Sequence, residues 1–242
     1  MPMSADTPAT GDEKNRRLME QYTEIAALAG GLAHEIKNPL STIRLNLGLL
    51  AEDFAEASTP REQRVLQKIR TVERECQRLG DILEDFLRFV RAKPLRLESC
   101  DLKQVVQEMI DFVTPQCAAR GIELVQYLHA DPPPVLLDRE LFKQALLNLL
   151  LNAQHAMPHG GQIVLQTRAV DGAVQFDVID TGVGMDCETL EQLFRPFFST
   201  RKDGSGLGLP TARKIIEAHN GTISVQSEVG KGTQFTIKLP VG

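Results

Sequence analysis

Ala33-His34-Glu35-Ile36-Lys37-Asn38-Pro39-Leu40 lies inside a run whose apolar residues recur every three or four positions: Ile25, Leu28, Leu32, Ile36, Leu40, Ile43, Leu47, Leu50 and Phe54. That spacing draws one stripe down a long α-helix. Ser58-Thr59-Pro60 interrupts it, and Pro60 followed by Glu62 is a start signal for a new helix. A second stripe then passes through Val65, Ile69, Val72, Cys76, Leu79, Ile82, Phe86 and Val90. Two long helices joined by a short turn make an antiparallel hairpin. One hairpin buries little apolar surface, so two copies should pair into a four-helix bundle, a homodimer through residues 14–91. Residues 1–13 are small, polar and proline-containing and read as a disordered tail.

Composition narrows the function classes. The chain has 242 residues, 42% hydrophobic and 24% charged, which is ordinary for a globular protein and gives room for one or two domains. Its formal charge of -5 argues against a nucleic-acid partner held by bulk positive charge. Cys76, Cys100, Cys117 and Cys187 form no C-x-x-C pair, so neither a zinc site nor a disulfide framework is indicated, and reduced thiols are expected. There is no basic-then-apolar leader pattern, and no apolar stretch approaches the ~20 residues that span a bilayer. The expectation is a cytoplasmic protein with no direct membrane insertion.

Ala92-Lys93-Pro94 opens a linker over residues 92–98, after which residues 99–242 follow a mixed α/β pattern. Asp101 should cap a helix that Gly121 ends, and Ile122 to Leu128 alternates as a strand. Pro132-Pro133-Pro134 breaks the chain. From Asp138 to Met157 a stripe of Leu141, Ala145, Leu149 and Ala153 predicts a strong helix. Strands are expected at 163–169 and 174–179, a helix at 209–219, and a closing hairpin from strands at 222–227 and 233–239.

Three local motifs in this second half carry chemistry. Asn148 and Asn152 are four apart and share a helix face. An amide oxygen is a hard, neutral ligand that suits Mg²⁺ when a substrate's phosphates supply the charge, although two such amides could equally bond nearby backbone. Asp180-Thr181-Gly182-Val183-Gly184 follows a strand. Its glycines admit close approach of a flat ligand, and Asp180 could accept from an exocyclic amine such as adenine's, unless the segment is a plain strand-to-helix turn. Gly204-Ser205-Gly206-Leu207-Gly208-Leu209 opens a helix whose N–H groups could meet phosphate. Neither a Walker A sequence nor G-x-G-x-x-G is present, so a P-loop or Rossmann site is not supported. Between these motifs, Phe194-Arg195-Pro196-Phe197-Phe198-Ser199-Thr200-Arg201-Lys202 sets aromatics beside cations, which suits a cover over phosphates or a solvated loop with an apolar anchor.

Taken in order, a helical His-Glu pair followed by these boxes resembles the catalytic core of the sensor histidine kinases of two-component systems, over about residues 20–240. The His34 run looks most similar to the nitrogen-regulation type. The resemblance implies an α+β protein of two domains, a dimeric helical hairpin followed by an α/β sandwich of the Bergerat ATP-binding fold. It implies ATP and Mg²⁺ as cofactors, with His34 as phosphoacceptor and Glu35 as its base. Asn152 would bind the metal with Asn148 beside it; Asp180, Gly182, Gly184 and Thr233 would form the adenine pocket. Gly204, Gly206, Leu207 and Gly208 would form the lid over the phosphates, with His155 and Lys202 or Arg201 as phosphate contacts. Asn38, on the same helix face as His34, would orient the water that dephosphorylates a partner regulator.

The chain departs from the usual pattern in two places. His155 stands where many relatives have a permanent cation, and the lid around 200–205 is short. Asn38 also replaces the second histidine that H-E-x-x-H zinc chemistry needs. Pro39 removes one backbone hydrogen bond beside the phosphoacceptor and should bend the helix. The partner implied is the receiver domain of a response regulator. Only a short tail precedes the hairpin, so either the chain is a core cut from a longer protein or a separate partner does the sensing. The competing readings are another Bergerat ATPase, which would lack the His34 segment, and a non-catalytic scaffold, which would show degenerate boxes.

Overall fold

The computed structural model describes residues 11–90, 94–129, 132–170, 172–201 and 204–241; of residues 11–29, 32 and 34 it describes the backbone alone. The chain divides into two compact units, 1–93 and 94–242.

The first unit is the helical hairpin. α1 spans Gly11–Asp53 and α2 spans Pro60–Val90. Residues 11–13 of the expected tail are helical. The helix runs through Pro39 without interruption. α2 starts in a capping box. Glu62 N donates to Thr59 Oγ1 at 3.2 Å, while Thr59 N and Ser58 N donate to Glu62 Oε2 at 2.9 and 3.0 Å. Those donations, Thr59's backbone foremost, hold the Glu62 carboxyl below its usual range. Ala33, Ile69 and Cys76 are buried, but Ile36, Ile43, Leu50, Val72 and Leu79 of the two predicted stripes stay 40–53% exposed. A single hairpin therefore leaves much of its apolar seam open.

The second unit is a sheet with helices on one face. β1 (Glu98–Cys100), α3 (Leu102–Ala119), β2 (Ile122–Tyr127), β3 (Val135–Leu137), α4 (Arg139–Ala156), β4 (Gly161–Val170), β5 (Ala173–Asp180), α5 (Cys187–Gln192), α6 (Gly208–Ala218), β6 (Thr222–Glu228) and β7 (Gly232–Pro240) follow in order. The main sheet runs β2-β4-β5-β7-β6, with β2 parallel to β4 and the other pairs antiparallel. Asp101 Oδ1 caps α3 through Lys103 N at 2.8 Å, and Asp138 Oδ1 caps α4 through Leu141 N at 3.1 Å. Val105 and Val113 of α3, Phe142, Leu146 and Leu149 of α4 and Ile216 of α6 are buried with Phe176 of β5 and Phe235 of β7 in one core. His219 joins two of these helices. Its Nδ1 donates to Ile215 O at 2.7 Å and its Nε2 accepts from Asp138 N at 2.9 Å, tying the end of α6 to the start of α4.

The elements not anticipated are β1, β3 and α5. β1 and β3 pair antiparallel, so Glu98, placed in the linker by sequence, is a strand residue opposite Leu137. Strands of three residues have no room for a period to show. α5 has six residues and owes its start to Asp186, whose Oδ1 accepts from Thr189 N at 2.8 Å.

The helix-free face of the sheet is polar and centres on Asp177, which is fully buried. Its carboxylate accepts from Thr236 Oγ1 at 2.7 Å, Arg168 Nη2 at 2.8 Å and Gln175 Nε2 at 3.0 Å. Burial pushes this carboxyl up, but the donations from Thr236, Arg168, Gln175 and Gln234 outweigh it and hold the group below its usual range.

Candidate functional site

α4 organises the site in the second unit. Asn148, Asn152 and Ala156 are spaced four apart on it, one above another. A Cβ on Gly208, at the start of α6, would meet Asn148 Oδ1 at 3.7 Å, so the glycine loop arrives at that end of the stripe. At the other end, a Cβ on Gly182 would stand 2.7 Å from both Ala156 Cβ and Ala156 O and 2.8 Å from Asp180 Oδ1. Only a glycine fits there, and the Ala156 carbonyl is free to accept from Val183 N at 3.0 Å. Residues 148 and 156 are about 12 Å apart along the helix axis, with Asn152 halfway. Among the described residues, no protein hydrogen bond holds either asparagine amide, and both side chains are half-buried.

Asp180, the last residue of β5, is 2% exposed. Its Oδ1 accepts from Gly182 N at 2.8 Å. Burial pushes its carboxyl up, and the backbone N–H groups of Gly182 and Thr233 pull in the other direction without cancelling it. Thr233 stands opposite Asp180 in the β5–β7 pairing and is buried. Its Oγ1 lies 2.9 Å from Ser227 Oγ, which also donates to Gly232 O at 2.8 Å and accepts from Met185 N at 2.9 Å. Ser227 thus stitches the β6–β7 hairpin to the loop that carries Gly182 and Gly184. Sequence reasoning missed it; its only signal was its register opposite Thr233 across the hairpin.

The loop before α6 folds back on the aromatic segment. Phe197 N donates to Gly206 O at 3.1 Å, and Gly206 has φ +68° with its Cα pressed against Phe197, so that a Cβ would stand 2.5 Å from the Phe197 carbonyl carbon. Gly204 N donates to Arg201 O at 3.4 Å, and a side chain on Gly204 would strike Ser199 Oγ. Leu207 is buried and caps α6 with no side-chain acceptor, leaving the first-turn N–H groups of α6 without a cap. Lys202 lies outside the described residues.

His155 is half-buried near the end of α4. Burial, then the charges of Arg201 and Arg120, hold its imidazole below its usual range, against a backbone hydrogen bond to Leu151. The ring is therefore biased toward its neutral form, with Arg201 supplying a permanent cation near it. Arg120, which the sequence reading did not single out, reaches this end through the turn after α3, where Gly161 N donates to Gly121 O at 3.2 Å.

His34, Glu35 and Asn38 all lie on α1, in the first unit. Glu35 and Asn38 are exposed, and Asn38 O accepts from Thr42 Oγ1 at 3.2 Å. Lys37, one turn beyond His34, is bound across the hairpin to Glu84 at 2.7 Å. Among the described residues, no cluster of three or more His, Cys, Asp or Glu is arranged to hold a metal, and no helix is long and apolar enough to cross a membrane.

Comparisons with known proteins cover both units. The family described as histidine kinase-, DNA gyrase B-, and HSP90-like ATPase matches residues 137–242, and the His Kinase A (phospho-acceptor) domain matches residues 24–95. The sensor histidine kinase ZraS of Klebsiella oxytoca is 40% identical over 223 residues, 92% of this chain and 47% of that protein. ZraS of Escherichia coli K12 is 35% identical over 230 residues, 95% of this chain and 48% of that protein. The chain thus spans about half the length of the curated relatives it matches. Among solved structures, full-length ShkA in complex with AMPPNP matches with a TM-score of 0.68 and 26% identity over 88% of this chain and 45% of that one. The histidine kinase ThkA in complex with the response regulator protein TrrA matches with a TM-score of 0.68 and 25% identity over 99% of this chain and 68% of that one.

Proposed function

The chain belongs to the sensor histidine kinases, with the family's phosphoacceptor hairpin ahead of its ATPase-type domain, and from that premise we propose that it phosphorylates itself on His34 with ATP and passes the phosphoryl group to an aspartate of a response regulator. The observation that carries this reading is the α4 stripe, which brings the glycine loop to Asn148 and the Asp180 loop to Ala156, with Asn152 between.

In this reading Asp180 accepts the adenine amine, while Gly182 and Gly184 leave room for the ring and Thr233 closes the pocket. Gly204, Gly206, Leu207 and Gly208 fold over the phosphates. Asn148, His155 and Arg201 hold the phosphate end, and Lys202 is a second candidate cation there. Asn152 fits Mg²⁺ by its neutral amide oxygen, free of protein partners among the described residues, and the metal would supply charge neutralisation to the phosphates. The His34 imidazole attacks the γ-phosphorus. An N–P bond forms, the P–O bond to ADP breaks, and the imidazole proton passes to Glu35. In the second transfer the N–P bond breaks as a regulator carboxylate oxygen bonds to phosphorus. Asn38 orients a water for the reverse function, regulator dephosphorylation. The open apolar seam of the hairpin, Ile43 and Leu79 included, supports a homodimer that closes a four-helix bundle. A cytoplasmic setting and a sensor supplied in cis or by a partner complete the proposal.

The test is incubation with γ-labelled ATP and Mg²⁺ beside a His34→Gln variant. Acid-labile, base-stable label on the unsubstituted chain alone is expected. Nucleotide binding with no label on either would overturn the kinase reading in favour of a scaffold.

A further inference from the structure

A cross-hairpin ion pair sits one helical turn from the phosphoacceptor. Lys37 Nζ meets Glu84 Oε1 at 2.7 Å, and the other oxygen of Glu84 has Arg88 Nη2 at 3.8 Å. Positions 34 and 37 are i, i+3 neighbours on α1, about 5–6 Å apart at Cβ. A lysine on its four-carbon stem can serve either side of that gap. Lys37 is half-exposed and held by one bond, so nothing locks it in place. The other acidic residues of this stretch are Glu35 on its own helix and Asp81 and Asp85 on α2, of which Asp81 accepts from Gln77 Nε2 at 2.8 Å and Asp85 has a partner of its own. The Lys37 contact also dominates the forces that hold the Glu84 carboxyl below its usual range.

We propose that Lys37 exchanges partners when His34 is phosphorylated, leaving Glu84 for the phosphoryl group, with Glu84 as the positioning residue that stores Lys37 within reach and Arg88 as the cation that keeps Glu84 paired afterwards. The inference rests on His34 carrying a phosphoryl group. Its physical basis is a competition of charges. A neutral imidazole is a weaker partner for an ammonium than a carboxylate is, so Glu84 wins. A phosphoryl group carries a charge of about -1.5 to -2 near neutral pH, with three strong acceptor oxygens, and outbids a single carboxylate. The exchange creates no uncompensated charge, because Arg88 already stands four residues from Glu84 on the same helix. It has two consequences: the phosphohistidine dianion is stabilised against return of the phosphoryl group to ADP, and the tie between α1 and α2 at Glu84 opens while the group is present.

The experiment is a ³¹P NMR pH titration of phosphorylated full-length chain as wild type, Lys37→Gln, Lys37→Arg and Glu84→Gln. The phosphoryl group is installed chemically with phosphoramidate, and its resonance is identified by loss in His34→Gln. This loading needs no ATP, so a failure of the kinase reading and a failure of the exchange are separate results. The second phosphoryl ionisation should rise by about half a pH unit in Lys37→Gln, return in Lys37→Arg, and fall in Glu84→Gln, where Lys37 is released. With ATP and ADP present, the phosphohistidine:ATP ratio should fall about 3-fold in Lys37→Gln and rise in Glu84→Gln. Salt at 1 M should merge the curves. Titrations identical to wild type in all variants, or shifts of one sign for Lys37→Gln and Glu84→Gln, would overturn the exchange.

Discussion

Gly182→Ala puts one methyl group where the fold has no space for it. The new carbon would stand 2.7 Å from Ala156 Cβ, about 0.8 Å inside the ~3.5 Å at which carbons meet, and 2.8 Å from Asp180 Oδ1. Neither neighbour gives way cheaply. Ala156 is in the last turn of α4, its carbonyl receiving Val183 N at 3.0 Å, and Asp180 is 2% exposed. Overpacking of this size costs about 1–3 kcal/mol. If the loop yields by turning Asp180 away from Gly182 N, most of that cost falls on the proposed adenine pocket, and nucleotide binding should weaken by about 5- to 150-fold. Calorimetric titration with an ATP analogue, beside a thermal melt of the same sample, separates lost affinity from lost stability. An Ala156→Gly background removes one of the three clashing atoms and should restore part of the affinity. A Gly182→Ala protein with wild-type affinity and melting temperature would refute the argument that this glycine exists to admit the close contact.

Three further outcomes are expected. Burial holds the Asp180 carboxyl above its usual range, and an adenine amine needs the ionised form as acceptor. Binding should therefore weaken as pH falls through that raised value and should release a proton there, whereas Asp180→Asn should bind weakly without this dependence; affinity that stays flat from pH 4 to 7 in the wild type would count against the assignment. A carboxyl raised in this way favours the unliganded fold below its unfolded value, near 3.9, and loses that contribution as pH rises through the folded one. Asp177 has the opposite sign: its donors hold it low, so its contribution is present above the unfolded value and is lost as pH falls through the folded one. Asp177→Asn sets an amide against the N–H donors of Arg168 and Gln175, should cost about 1–3 kcal/mol, and should flatten the acid limb of stability in urea melts from pH 3 to 7; an unchanged limb would show that the network is not what fails in acid. Asn38→Ala should leave autophosphorylation near wild type and slow loss of phosphate from a phosphorylated regulator; an equal rate of loss would remove Asn38 from that role.

Much of the fold was legible because its signals are local and periodic. The two stripes of the hairpin, the Asp138 cap and stripe of α4, and the alternation of β4 to β7 each repeat over enough residues to be read. The same holds for the boxes at Asn148, Asp180 and Gly204, since a helix spacing or a glycine before a helix is itself local. What escaped was short or non-local. β1, β3 and α5 have three to six residues each, and β1 and β3 exist only because Glu98–Cys100 finds Val135–Leu137 across a whole helix and strand. Ser227 looks like any strand serine until the hairpin register sets it against Thr233.

Sequence by itself determined the class of this protein: a histidine in an amphipathic hairpin, then asparagine, aspartate and glycine boxes in kinase order. Only the tertiary structure decided the electrostatic character of the groups involved. Asp177 and Asp180 are three residues apart on one strand, yet one is held low by four donors from three strands and the other is pushed up by burial against two backbone N–H groups. Burial, then the charges of Arg201 and Arg120, both distant in sequence, hold the His155 ring below its usual range, and Lys37 is paired because α2 returns Glu84 to its side. Periodicity depends on neighbours along the chain, whereas desolvation and Coulomb energy depend on neighbours in space, and those are fixed only when the elements pack.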